Sequence, residues 1–333
     1  MPLPTRSVTM APFYTPLQTM FTLILPCLLR DTDETPELPD TPALDAMLRY
    51  GRFLPEAVGL AELYRSRLCD QSGLAANQVY ASPMWQQTGM NSVRQLDGAA
   101  IGITQEEADA LCAGLNGFYG GEYRFEPLRP DVWRLSLPAP PQWQSPPIWE
   151  VCGHIDGFTR AQGEQTQWLK LTGEIQMWLH ARAAAQPDRQ PPVNSIWLWY
   201  PETAVPLRCR PDLIGSNSPW AAQSSLNACP LPESFAEWQE TVRQRKADIG
   251  HTALFADDFT VSRHTGDVWA YCELLATWEE RFFAPIWQAL RQGSLKGFEL
   301  VCDGENGGIL TVRAKAHRAF WKRKRRFDGM RLG

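Results

Sequence analysis

Short, nearly continuous apolar runs alternate along the chain with longer segments whose apolar residues recur at helical spacing. FTLILP (21–26), WEVCG (149–153), SIWLWYP (195–201), TALFADD (252–258), GFELVCDG (297–304) and ILTVRAK (309–315) read as strands. TPALDAMLRYGR (41–52) reads as a helix, with Thr41 at the N-cap and Pro42 at the first helical position. Further helices are expected over 55–68, 104–121, 166–185, 233–247 and 267–293. The 104–121 helix carries the strongest signals: Thr104 and Glu107 have capping-box spacing, and Gly120 and Gly121 stop it.

Buried strands alternating with helices predict an α/β protein with a mainly parallel sheet covered by helices on both faces. The pattern changes between residues 70 and 147. There GAAIGI (98–103) reads as a short strand, YRFEPL and VWRLSL (123–137) as a hairpin, and PAPPQWQSPP as a connection. This stretch is expected to be a small α+β domain inserted into a core of residues 20–69 and 148–315. Residues 1–19 lack periodicity and read as a loose N-terminal tail, and residues 316–333 form a basic tail.

The run from Phe21 to Leu29 is nine residues long, interrupted by Pro26 and followed by Arg30 and Asp31. A membrane helix needs about 20 apolar residues, so this run reads as a buried strand, and no later stretch is long enough to span a bilayer. The net charge of −5 argues against general nucleic-acid binding. Eight cysteines lack C-x-x-C spacing and read as reduced thiols of a cytoplasmic protein, which argues against a zinc site. The 14 tryptophans are expected mainly in the core and in pocket walls.

Several segments, in order, resemble the archaeal-type cofactor-independent phosphoglycerate mutases of the alkaline phosphatase superfamily. They are TPALDAMLRYGR, GITQEEADALCAGLN, PPVNSIWLWYPE, RHTGDVWAYCELLATWEERFFAPIW and ELVCDGENGG, spread over most of residues 20–315. EIQMWLH (174–180) followed by VNSIWLW (193–199) resembles more specifically a bacterial family related to those mutases, the regulator-of-pathogenicity-factors E type. The resemblance implies an alkaline-phosphatase-like architecture with a metal crevice at the carboxyl ends of the strands.

Aligned on the mutase pattern, the metal site is depleted. Cys27 stands where the first metal-binding Asp is expected, with Asp31 at the second acid. Asp303 keeps half of an Asp-His turn, but Gly304 replaces the histidine. Asp257 and Asp258 lie seven and six residues before His264, a wider spacing than the family's Asp-x-x-x-His pair. His317 is the candidate for a last histidine, and the serine nucleophile has no counterpart with the right flanks. A two-metal site needs several anionic ligands around ions about 3.5–4 Å apart. Asp258, His264, Asp303 and His317 are thus the degenerate metal set. No cofactor is expected, with manganese or zinc as the alternative. Cys27 reads better as a small buried apolar residue at a strand end than as a metal ligand.

In open α/β sheets, ligands bind beyond the carboxyl ends of the strands. That rule points to Cys27, Trp199, Tyr200, Asp257, Asp258, Asp303 and Gly304 as one crevice, which Asp31 joins through the mutase alignment, with Asn194 at the start of the 195–201 strand. At least one of Trp197 and Trp199 is expected to pack in the interior with the 166–185 helix. His154 and Asp156 are either an acid/base pair or a turn. The basic tail carries eight Lys and Arg after residue 314, interleaved with aromatic residues. It reads as a polyanion contact, a solvated end, or a strap on its own acidic body. Two functions follow: a non-catalytic or regulatory protein that binds a small ligand or protein partner, or a divergent metal-dependent phosphate-ester enzyme.

Overall fold

The computed structural model describes residues 19–30, 37–68, 74–88, 93–152, 162–184, 188, 190–199, 207–208, 210–218, 220–221, 224–319 and 321–333. Asp31, Tyr200, His154, Asp156 and most of the N-terminal tail lie outside them. The chain opens with β1 (Phe21–Ile24), α1 (Pro42–Tyr50), β2 (Arg52–Pro55) and α2 (Leu60–Arg67). It continues through β3 (Gln78–Thr88), β4 (Val93–Asp97), α3 (Gln105–Tyr119), β5 (Arg124–Arg129), β6 (Val132–Ser136), β7 (Trp143–Gln144), α4 (Ile148–Val151), β8 (Gln162–Gly163), α5 (Gln165–Ala184) and β9 (Ser195–Trp199). The remaining elements are β10 (Leu213–Gly215), β11 (Ala228–Cys229), α6 (Phe235–Gln244), β12 (Thr252–Phe255), α7 (Phe259–Thr265), α8 (Val268–Trp278), α9 (Ala284–Gln292), β13 (Gly297–Cys302) and β14 (Gly308–Arg313).

Seven strands form one sheet in the order β11-β10-β12-β1-β13-β14-β2, parallel through β13 and antiparallel at β14 and β2. Side-chain alternation divides β1 between two cores. Phe21 and Leu23 join Met47, Trp238, Leu275, Phe283 and Leu290 in one, which α1, α6, α8 and α9 cover. Ile24 joins Ala253, Phe255 and Val301 in the other. That second face meets α2, where the Tyr64 and Phe255 rings are 4.9 Å apart, and the same core continues into an antiparallel sheet. Helices therefore cover one face, whereas α2 and the antiparallel sheet share the other.

In the antiparallel sheet, β3 pairs with β4, β6 and β9, and β5 with β6. This corrects the expectation for the 195–201 strand: its described residues, Ser195–Trp199, pair with β3 and do not join the parallel sheet. β9 is buried at all five residues, so its apolar run is indistinguishable from that of a parallel strand. Trp168 of α5 packs on Trp197 at 5.0 Å, as expected for the helix preceding this strand. The capping box at Thr104 and Glu107 is also present.

Four other expectations change. Residues 98–103 form turns, because the Asp97 carboxyl accepts the Ala100 N–H and Ile103 N–H bonds Gly98 O. Residues 148–151 are a helical turn where a strand was expected. The helix predicted from Pro55 begins only after Gly59, since 52–55 pair with β14. The predicted 267–293 helix contains a π segment, Glu279–Phe283, just before Pro285. Pro285 has no N–H to give its preceding turn, and widening to a π turn absorbs that loss.

At the start of α1, Thr41 makes no side-chain cap. Instead the buried Glu279 accepts the N–H groups of Ala43 (2.6 Å) and Leu44 (3.2 Å). Its carboxylate satisfies orphan donors at the positive end of the helix dipole. Burial still raises the Glu279 pKa, opposed by those two hydrogen bonds. The 316–333 segment also lies against α1. Phe327 and Leu332 are 3% and 1% exposed, and Phe327 N–H donates to Asp45 at 2.7 Å. The strap reading of the basic tail therefore holds for its described residues.

Candidate functional site

The carboxyl ends of β1, β12 and β13 bring together Cys27, Asp257, Asp258 and Asp303. After β1 the chain turns sharply, and Cys27 takes a φ of 61°, a left-handed conformation that disfavours a side chain. The 2%-exposed Asp303 stabilises that turn: its Oδ1 accepts the Cys27 N–H at 2.6 Å. Its Oδ2 lies 3.7 Å from Nη1 of Arg263 on α7. The same Arg263 nitrogen donates to Leu29 O at 3.4 Å, and Tyr271 OH donates to Leu28 O at 2.7 Å. Three elements thus clamp residues 27–29, and the carboxylate that resembles a metal ligand holds the backbone of this turn. Sequence reading missed Arg263, and nothing in the pattern around it marks a partner for Asp303.

Gly304 follows Asp303 with a φ of 97°, and its N–H donates to Val58 O at 2.8 Å. A histidine at this position would have to adopt a conformation that L side chains rarely take. The Cys27 thiol is 1% exposed, packed among Leu25, Leu28 and Cys302 in the helix-covered core. Burial, then the Asp303 charge, pushes the Cys302 thiol well above its ordinary pKa.

Asp257 and Asp258 lie between β12 and α7. Asp257 accepts Tyr64 OH at 2.9 Å, and Asp258 accepts Trp278 Nε1 at 3.2 Å. Burial raises the Asp257 pKa against the opposing hydrogen bond from Tyr64. Asp258 has an exposed side chain, yet loss of hydration and then the Asp257 charge raise its pKa too. Across from them stands the antiparallel sheet, where Arg129 pairs with Asp131 through bonds of 2.7 and 2.5 Å and lies 5.2 Å from the Trp220 ring. Asp97 also faces this region; burial raises its pKa, and Asp131 adds to the shift.

The other nominated residues are dispersed. His264 is on α7, but its side chain is outside the described structure. β14 returns antiparallel to β13, pairing Arg313 with Gly297, so His317 lies at the opposite end of the sheet from Asp303. Its ring is 6.5 Å from Trp287. Asn194 clasps the Gln86 backbone, donating to its O at 2.9 Å and accepting its N–H at 2.8 Å. Trp199 is 1% exposed, donates to Ser82 Oγ at 3.0 Å and packs on Tyr80 and Trp220. Both are fixed by strand pairing and core packing, not by an opening of the crevice.

The described side chains of this set do not fit a two-metal centre. Asp303 is committed to a backbone N–H and faces a guanidinium, Cys27 is buried, and Gly304 has no ligand atom in a side chain. Among the described residues, no group of three or more His, Cys, Asp and Glu is arranged to hold a metal ion.

No protein-family model matches this chain, and no curated protein matches it. Among solved structures, the cofactor-independent phosphoglycerate mutase from Thermoplasma acidophilum DSM 1728 is similar over 88% of this chain and 90% of that one, with 12% identity and a TM-score of 0.38. That distant similarity assigns neither residues nor activity. No helix among the described residues is long and apolar enough to cross a membrane.

Proposed function

We propose that this chain is a non-catalytic or regulatory binding protein built on a phosphoglycerate-mutase-like scaffold, of the regulator-of-pathogenicity-factors E type. The observation that carries the reading is the commitment of Asp303 to the Cys27 N–H and its proximity to Arg263. A dication there would displace a backbone hydrogen bond and sit close to a fixed positive charge. A small ligand would approach the carboxyl end of β12, where Asp258 is exposed and Asp257 feels the charge of Arg129 in the antiparallel sheet. The buried thiols at 112, 229 and 302, which form no disulfide among the described residues, are in keeping with the reducing cytoplasm of a bacterial cell.

Metal analysis and a mutase assay test this reading on the purified chain. With manganese or zinc added, no stoichiometric metal and no interconversion of 2- and 3-phosphoglycerate are expected. Two ions per chain, together with turnover lost in Asp303→Ala or His264→Ala, would establish the enzyme reading instead.

A further inference from the structure

We propose that residues 321–326 form a preordered site for single-stranded nucleic acid, in which Trp321 stacks on a base and Arg323, Lys324 and Arg325 contact backbone phosphates. The segment after residue 314 carries eight Lys and Arg against one Asp, in a chain whose net charge is −5. Its basic run is not a loose end, because it is tied down on both sides. Arg49 Nε donates to Lys322 O at 2.8 Å, and Lys322 Nζ donates to Tyr50 O and Gly51 O at 3.1 and 3.3 Å. These last acceptors are carbonyls at the negative end of α1, a favourable place for a cation. Downstream, Phe327 and Leu332 are buried, Arg326 reaches Asp40 at 3.3 Å, and Gly329 O accepts the Arg30 N–H at 2.7 Å.

Between these anchors, residues 321–326 are all exposed, and Trp321 is 74% exposed. Among the described residues, Arg323, Lys324 and Arg325 have no carboxylate within ion-pair distance. Holding the backbone in place lowers the ordering cost of binding. A polyanion is the partner that such a row of cations fits. The aromatic residues narrow the class. Phe327 and Leu332 face inward, which leaves Trp321 as the exposed apolar ring among the described residues of the strap. One ring flanked by cations suffices to stack on an unpaired base, whereas insertion into a bilayer calls for a wider apolar face. Stacking also requires bases that are not already paired, so a duplex fits less well.

The test is fluorescence anisotropy with the full chain and a labelled oligouridylate of about 12 nucleotides. Three phosphate contacts predict a slope of about −2 for log affinity against log salt, or about a 20-fold loss between roughly 50 and 200 mM. Combined R323E, K324E and R325E should abolish binding, and Trp321→Ala should weaken it about 10-fold, with Trp321→Phe retaining most of it. All four positions are exposed, so an unchanged thermal midpoint is expected and confirms that the fold is intact. The proposal is overturned if the oligonucleotide does not bind at low salt, or if the charge reversal leaves affinity unchanged. It also fails if Trp321→Ala is silent, or if phosphatidylserine vesicles bind and the oligonucleotide does not.

Discussion

In the parallel sheet, β1 and β12 bury every residue, and the chain leaves β12 and β13 through acidic side chains: Asp257 and Asp258 after one, Asp303 after the other. In the antiparallel sheet, β9 also buries every residue, but its polar demands come from indole N–H groups. Trp199 Nε1 donates to Ser82 Oγ, Trp197 Nε1 to Pro146 O at 2.8 Å, and Trp168 Nε1 on the covering helix to Leu198 O at 2.9 Å. The first region concentrates buried charge at strand ends, where backbone donors and a guanidinium face it. The second spreads neutral donors through a packed aromatic layer. The difference teaches that equal burial along a strand does not mean equal chemistry at its end.

The largest expected effect is in the aromatic layer. Trp199→Ala should destabilise the protein by about 3–5 kcal/mol, through the cavity it leaves and the orphaned Ser82. Trp197→Ala should follow it, since both rings pack inside the sheet. Thermal denaturation checks this; if neither substitution lowers the midpoint, β9 does not hold the second sheet to its helix.

Next comes the parallel sheet. Asp303→Ala removes the acceptor of a buried N–H at a strained residue and a carboxylate beside Arg263, for an expected loss of about 2–3 kcal/mol in urea denaturation. Asp303→Asn keeps an oxygen acceptor and should lose less. Full stability in Asp303→Ala combined with loss of metal binding would recast Asp303 as a ligand and remove the contrast drawn above.

The smallest effect sharpens the boundary between the two sheets. Burial raises the Asp97 pKa above its ordinary 3.8, with Asp131 adding to the shift and the Ala100 N–H opposing it. A raised carboxyl contributes stability that is complete below the unfolded value and is lost as pH rises through the folded one. Asp97→Asn should therefore match the wild type in acid and exceed its thermal midpoint at neutral pH. Parallel pH profiles for the two proteins would mean that Asp97 titrates as it does in the unfolded chain.

Much of the candidate site was legible because the ends of apolar strands can be read directly: Cys27, Asp257, Asp258 and Asp303 do gather at one end of the sheet. Asn194 and Trp199 lie beside β3 because an apolar run does not say which sheet it joins, and β14 runs antiparallel, which carries His317 to the far end. Arg263 was invisible, since its partner lies 40 residues away in sequence and no local pattern links them.

By itself, the sequence determined the local elements whose signals lie within a few residues: the Thr104–Glu107 capping box, the long α5 helix, and the buried strands at 21, 252 and 297. These follow from side-chain periodicity and from backbone donors satisfied nearby. Only the tertiary structure decided which sheet received β9, that Glu279 and not Thr41 caps α1, and that the basic segment lies on that helix. Each of these rests on a contact between residues distant in the chain, where several partners satisfy the same apolar pattern or orphan N–H. Packing and hydrogen-bond geometry in the folded chain choose among them, and no local periodicity carries that choice.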